Sequence, residues 1–303
     1  VDELRFDGKS VIVTGGGRGF GRAHALLLAS RGARVVVADY GVDLDGRGTS
    51  PDVAEAVAKE IVAAGGEAVP CYATVAEESG AEQIVQTALD AFGGLDILVN
   101  NAGVSDPDWF EDTDLDRFRR MNGHQYFGTV YMCNKAWPHL KASEHGAIVN
   151  TASEAVTGFV PKAASYCGAK GGVFSFTRAL ALDARRFGMR VNQICPRGNT
   201  RMNDPAIMGY HYDVPPETFE DGPTSRMKNE WVSPAVAFLA HESCPLNGET
   251  LISGNLGVMR LAIVQTRGFY TEGTITPEDV ASNVDSIMNL DNFVLRDLEN
   301  PPI

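Results

Sequence analysis

Residues 11–28 (Val-Ile-Val-Thr-Gly-Gly-Gly-Arg-Gly-Phe-Gly-Arg-Ala-His-Ala-Leu-Leu-Leu) limit what this chain can fold into more than any other stretch. A β-branched run ends in five glycines within the seven positions 15–21 and passes at once into Ala/Leu-rich sequence. That order spells strand, tight turn, helix. Glycine serves where positive φ or close backbone approach excludes a Cβ. The unpaired N–H groups that open such a helix form a seat for a pyrophosphate. A purely structural turn would look the same, so the surroundings decide. Arg34-Val-Val-Val-Ala38 is a second apolar strand, and Asp39 at its end stands where a ribose-binding acid belongs in a dinucleotide site.

Strands and helices alternate along the rest of the chain. Helices are expected from Pro51 to the Gly65-Gly66 stop, over 79–92, from about 124 to 141, over 163–187 and near 233–241. Strands are expected over 68–72, 95–99, 147–151, 190–195 and near 250–253. The alternation implies an α/β fold, a doubly wound parallel sheet with helices on both faces. Residues 197–232 break the rhythm, with prolines amid Met202, Met208, Tyr210, Tyr212, Phe219, Met227 and Trp231. A long segment of that kind reads as a binding loop or lid, with a packed surface loop as the plainer alternative. Thr276-Pro277-Glu278-Asp279 has the form of an N-cap with proline at the first helical position. The expected organisation is one domain over 1–260, substrate loop included, and a C-terminal extension over 261–303.

With a net charge of −13 over 303 residues, the chain is a poor match for nucleic acid or an anionic membrane surface. No apolar run reaches the length of a membrane span. Val1-Asp-Glu-Leu-Arg5 is charged and lacks the apolar core of a signal peptide. The five cysteines are scattered without a Cys-x-x-Cys pair, which fits reduced thiols rather than disulfides or zinc. A cytoplasmic protein without a metal centre is the expectation.

Tyr166-Cys-Gly-Ala-Lys170 puts a phenol and an ammonium four apart on one helix face, and Ser153 ends the strand before it. A free tyrosine, with a pKa of about 10, is a poor base near neutrality. An adjacent ammonium favours the phenolate, which gives a group able to take a proton from a secondary alcohol or return one to a ketone. A solvated Tyr/Lys pair is the bland alternative. The serine and the upstream glycine turn favour the chemical one.

Thr14-Gly15-x-x-x-Gly19-x-Gly21, Asn100-Asn101-Ala102-Gly103, Ser153 and Tyr166-x-x-x-Lys170, in this order, resemble the short-chain dehydrogenase/reductase family over about residues 5–257. The resemblance implies a Rossmann-type domain with seven parallel strands in the order 3-2-1-4-5-6-7, assembled as a homodimer or homotetramer. It also implies Tyr166 as acid/base, Lys170 on the nicotinamide ribose, and Ser153 on the substrate oxygen. Gly15, Arg18, Gly19, Phe20, Gly21, Asn101, Ala102, Gly103 and Pro196 fall to the cofactor by the same resemblance. Narrower similarity to the dehydrogenase part of multifunctional peroxisomal β-oxidation enzymes and bacterial relatives lies in Gly41-Val-Asp-Leu-Asp-Gly-Arg-Gly48, His241-Glu-Ser-Cys244 and Ile275-Thr-Pro-Glu278. It implies a 3-hydroxyacyl-CoA or hydroxysteroid substrate.

Three positions depart from the family pattern. Gln125 replaces the asparagine that usually stands three residues before the glycine matching Gly128, where a proton-relay water is held. Thr74, followed by Val75, replaces the aspartate that receives the adenine amino group. Pro196-Arg197-Gly198-Asn199-Thr200 replaces the Pro-Gly turn after the sixth strand, with Thr200 and the Asn199 backbone expected near the nicotinamide amide or pyrophosphate. Asp39 would accept both ribose hydroxyls and repel a 2′-phosphate, so NAD is the expected cofactor despite Arg18. Arg197, Arg201, Arg226 and Lys228 are cations that a CoA ester would need, or ordinary surface charges. A dinucleotide-sensing binding protein without turnover is the rival function.

Overall fold

The computed structural model describes residues 2–105, 107–220 and 226–299. Residues 221–225 of the expected substrate segment lie outside the described residues. The chain forms two compact units, one ending at Met259 and one starting at Arg260.

In the first unit, β1 (Ser10–Thr14) is buried throughout, because its β-branched residues face helices on both sides. It pairs in parallel with β2 (Arg34–Ala38) on one side and β4 (Ile97–Asn100) on the other. Beyond β2 lies β3 (Glu67–Cys71). Beyond β4 follow β5 (Ala147–Thr151), β6 (Arg190–Arg197) and β7 (Thr250–Gly254), all in parallel register. The connecting helices include α1 (Gly19–Ser30), α2 (Asp52–Ala63) and α3 (Glu78–Phe92).

The sheet has eight strands rather than the expected seven, in the order β3-β2-β1-β4-β5-β6-β7-β8. The added edge strand, β8 (Gly257–Arg260), follows a two-residue turn in which Asn255 and Leu256 both have positive φ, 49° and 60°. Two successive left-handed residues are what a tight hairpin needs.

The helix expected from about 124 begins earlier. It runs as α4 (Leu115–Asn122), a π-helical turn (Gly123–Phe127) and α5 (Gly128–Ala142). Asp114 caps α4, its side chain accepting from the Asp116 N–H. After β5 comes the long α6 (Ala164–Arg185). The segment expected to be irregular contains α7 (Pro205–Tyr212) and the short α8 (Glu217–Glu220), and then leads to α9 (Ser233–Ala240). The core is continuous, with Val11, Val13, Val35, Val37, Val99 and Val149 joined to Leu28, Ile61 and Leu239 from flanking helices.

The second unit holds β9 (Ile263–Gln265) antiparallel to β10 (Val294–Arg296), with α10 (Pro277–Ser282) and α11 (Val284–Met288) between them. Thr276 caps α10 through a reciprocal box with Asp279.

Candidate active site

The carboxyl ends of β1, β2, β4, β5 and β6 open into a cleft of about 610 Å³. A ligand crevice at that edge of an open α/β sheet follows from the strand order reversing at β1. Of the residues expected at the site, all line this cleft except Gly21 and Asn199. Gly21 instead serves packing: a Cβ there would lie 2.0 Å from the Gly15 carbonyl oxygen. The Asn199 N–H donates to the Met227 carbonyl at 3.1 Å.

The cofactor side is built from backbone. Gly19 has φ +50°, and a Cβ there would meet Thr200 Cγ2 at 3.5 Å, so a side chain would narrow the cradle between the turn and Thr200. The Thr14 hydroxyl accepts from the Asn101 and Ala102 N–H groups at 3.0 and 3.1 Å, and Asn101 Nδ2 donates to the Thr14 and Gly15 carbonyls, each at 3.1 Å. These bonds fix the Asn101-Ala102-Gly103 segment against the glycine turn. Asp39 accepts from the Gly17 N–H at 3.0 Å and the Gly41 N–H at 2.8 Å, which orients its carboxylate at the cleft wall. The Thr74 hydroxyl accepts from the Ala76 N–H at 3.1 Å.

Residues 41–48, singled out in the sequence only for a family likeness, turn out to be a wall of the cleft. Val42 and Leu44 line it. The Leu44 and Asp45 carbonyls accept from Ser105 N–H and Arg120 Nε, both at 2.9 Å, and the Val42 carbonyl from Arg201 Nη2 at 3.3 Å. Arg201 is thereby engaged with this wall, and Arg197 is held by Glu154 in a two-pronged pair with both contacts at 2.6 Å. The Arg197 charge is thus met by Glu154, whereas Arg201 shares one N–H with a neutral carbonyl and keeps its charge. Glu154 directly follows Ser153 and also lines the cleft, but no sequence pattern marked it.

Ser153, Tyr166 and Lys170 meet at the inner end of the cleft, where a second chamber of about 210 Å³ adjoins it. Ser153 and Tyr166 line both spaces. Lys170 Nζ donates to the Thr151 carbonyl at 2.7 Å and lies 5.8 Å from the Tyr166 ring centroid. Burial pushes the Tyr166 phenol up to about 12, although its hydrogen bond with Ser153 favours the phenolate. Burial likewise draws the Lys170 ammonium down to about 8.

Burial thus acts against the acidification expected from Lys170. Desolvation raises the phenol, and the Lys170 ammonium donates to a backbone carbonyl. At neutral pH the phenol is protonated, and a positive charge brought into the cleft would lower it.

Gln125 sits in the π-helical turn, fully buried, with Nε2 donating to the Val104 carbonyl at 2.5 Å. Its Oε1 and the Thr151 hydroxyl are buried without a hydrogen-bond partner. A π turn at a helix position that faces a cleft re-aims a side chain inward. The orphaned oxygens fit a site that holds polar groups besides the protein's own. With the glycine cradle and the oriented Asp39, the residues present fit a dinucleotide.

The chamber beyond Tyr166 has Phe159, Val160, Met202, Met208 and Tyr212 in its wall beside the polar Glu154, Asn203 and His211, and among the described residues no lysine or arginine. Sequence composition pointed to the methionines and tyrosines of 202–212. It gave no signal for Phe159 and Val160, which reach the chamber only because β5 leads into the loop before α6.

Residues 9–207 match the short chain dehydrogenase family. The chain belongs to that family. It is 36% identical over 295 residues to mouse (Mus musculus) peroxisomal multifunctional enzyme type 2, covering 95% of this chain and 38% of that protein. The first curated relatives it matches are longer proteins, of which it spans 26–62%. A crystal structure of a short chain dehydrogenase from Mycobacterium avium superposes with a TM-score of 0.76 at 31% identity, covering 94% of this chain and 96% of that one. Carveol dehydrogenase from Mycobacterium avium, solved in complex with NAD, gives 0.75 at 25% identity, covering 82% and 97%. The family, the oxidoreductase class and the Rossmann-type sheet expected from the motifs are those of this chain.

Proposed function

We propose that this protein is an NAD-dependent dehydrogenase that interconverts an apolar secondary alcohol and its ketone. The observation that carries the reading is the position of Ser153 and Tyr166 at the join between the dinucleotide cleft and the second chamber. NAD rather than NADP is supported by Asp39, whose carboxylate is held at the wall by two backbone N–H groups and would repel a 2′-phosphate. The NAD bound by the carveol dehydrogenase points the same way.

When bound, a nicotinamide supplies the acceptor for the hydride that leaves the alcohol carbon. The chain's own part is the proton and the orientation. Tyr166 Oη takes the hydroxyl proton as the ketone forms, or returns it in the reverse direction. The Ser153 hydroxyl hydrogen-bonds the same substrate oxygen, and Lys170 holds the floor through the Thr151 carbonyl. Gln125 would hold a relay water through its unpartnered Oε1.

A chamber of about 210 Å³ has room for about seven water volumes, so it takes the part of the substrate around the reacting carbon. The hydroxyl-bearing end of a 3-hydroxyacyl thioester or a hydroxysteroid ring fits that description, the remainder lying toward the cleft. Exposed Phe127 beside α5 and Leu182 on α6 support assembly as a homodimer or homotetramer through those helices.

Incubation with NAD or NADP and a panel of hydroxyacyl-CoAs, hydroxysteroids and compact alicyclic alcohols tests the reading. Reduced nicotinamide should appear with NAD and at least one of them. Tight NAD binding without turnover of any member would favour the dinucleotide-sensing protein instead.

A further inference from the structure

Lys162 lies between the catalytic Ser153 and Tyr166 in sequence, yet its side chain points to the substrate segment. The residue is 6% exposed and has φ +56°, a left-handed conformation unusual for lysine. Its ammonium is enclosed by partners from outside its own loop. Nζ donates to the Tyr210 carbonyl at 2.5 Å and pairs with the Asp213 carboxylate. It also sits 4.2 Å from the Tyr210 ring centroid and 4.8 Å from that of Trp109. Asp213 is itself left-handed, at φ +53°, where it ends α7.

Neighbouring bonds reinforce the same junction. The Lys162 carbonyl accepts from the Asp108 N–H at 2.8 Å, and the Tyr210 hydroxyl donates to Asp108 Oδ1 at 3.3 Å. His211 Nδ1 lies 2.9 Å from the Pro161 carbonyl. A buried ammonium is tolerated only while its charge is met by acceptors and ring faces. Here the carboxylate, the carbonyl and one of the two rings belong to residues 210–213. Lifting α7 would strip Lys162 of most of what offsets its desolvation, which makes the closed arrangement all-or-none. The same helix contributes Met208, His211 and Tyr212 to the chamber wall beside Tyr166.

We propose that Lys162 is a latch, a positioning residue that holds α7 down over the chamber and thereby sets which alcohols reach Tyr166. The selectivity part rests on the function proposed above, whereas the latch itself does not. Two variants of the full chain test it, Lys162→Met and Asp213→Asn, the second at a side chain exposed enough to leave folding intact. Amide hydrogen exchange in residues 205–212 should quicken about tenfold in both, with β1 and β4 unchanged.

For a compact alcohol that the parent oxidises, KM should rise about tenfold with kcat within about twofold, because the cage is lost without touching the reacting groups. The preference for compact over bulky alcohols should narrow, and NAD affinity should stay as in the parent. Unchanged exchange in α7 of Asp213→Asn would overturn the latch. Quickened exchange with unaltered size preference would overturn its role in selectivity. If the parent oxidises no alcohol, the functional reading fails while exchange still decides the latch.

Discussion

The cofactor half and the substrate half of this molecule are held together by different physics. On the cofactor side, β1 lies between two parallel neighbours, and the glycine turn is tied to Asn101 and Ala102 by bonds in which at least one partner is always main chain. On the substrate side, α7 is held by side chains reaching across long stretches of sequence, among them Lys162 to Asp213 and Tyr210 to Asp108. The first arrangement joins motifs 86–88 residues apart and asks only for Thr14 and Asn101 among side chains, the other partners being main chain. The second depends on particular pairs and offers specificity at the cost of fragility. Substitutions in the two halves should therefore part company in what they disturb.

The largest effect should come where the halves meet. Tyr166→Phe keeps the ring and removes the hydroxyl proposed to carry the proton. Turnover should drop about 10²–10⁴-fold, the range for a positioned acid/base. The NAD dissociation constant, read by fluorescence titration, should stay within a factor of about two, because the phenol adds no contact to the cradle around Gly19. A variant that kept a tenth of the parent's rate would remove Tyr166 from the chemistry.

Next in size is Asp39→Ser, confined to the cofactor half. It removes a charged acceptor at the ribose edge, so the ratio of kcat/KM for NAD over NADP should fall about 10–100-fold. Steady-state kinetics with both cofactors measures it, and an unchanged ratio would refute the assignment of NAD. The substrate KM should not follow, and its movement would blur the division between the halves.

How much of each half could be read in advance follows from the same contrast. The β1 turn, Asp39, the Asn101 segment and the Tyr166–Lys170 spacing are contiguous patterns in which the neighbouring residue decides the geometry. Lys162 shows the opposite case. Nothing in Phe-Val-Pro-Lys-Ala (159–163) reveals that residues some fifty positions later will enclose its ammonium. Arg197 and Glu154 are similar, since each looks like a surface charge until β5 and β6 lie side by side.

Helix α4 was open to reading: Asp114 is an N-cap, and Leu115, Phe118 and Met121 recur every third residue. The density of charge in 114–120 obscured it. The effect of burial on Tyr166 and Lys170 was hidden for another reason. Spacing reports that two groups share a helix face, but not that burial acts on both of them more strongly than they act on each other.

A smaller effect, again in the cofactor half, concerns pH. His24 on α1 is buried against α9, its Nδ1 2.8 Å from the Ser233 hydroxyl, and burial pushes its pKa down from 6.5 to about 3. The imidazole stays neutral in the folded protein, whereas the unfolded chain takes up the proton as pH falls below 6.5. The contribution to stability is complete above pH 6.5 and drains away toward pH 3, at up to about 1.4 kcal/mol per pH unit. Denaturant midpoints for the parent should fall over that window, and those of His24→Gln, whose amide takes no proton, should fall less steeply. Parallel curves would assign the acid lability elsewhere.

The smallest effect on stability should come from the substrate half, and it sharpens the comparison most. Met208 lies on α7 with its side chain in the chamber wall rather than in the continuous core. Truncating a core residue such as Leu98, fully buried on β4, leaves a cavity in close-packed surroundings and costs about 2–5 kcal/mol. Met208→Ala enlarges a space that already exists, so neighbours lose few contacts and the cost should stay below about 1 kcal/mol. The lost surface should appear in recognition instead. For an alcohol filling the chamber, KM should rise roughly three- to tenfold, and a substrate larger by the missing side chain should recover the loss. A destabilisation matching that of Leu98→Ala would mean that α7 belongs to the core, and that the division between a pattern-held half and a pair-held half is drawn in the wrong place.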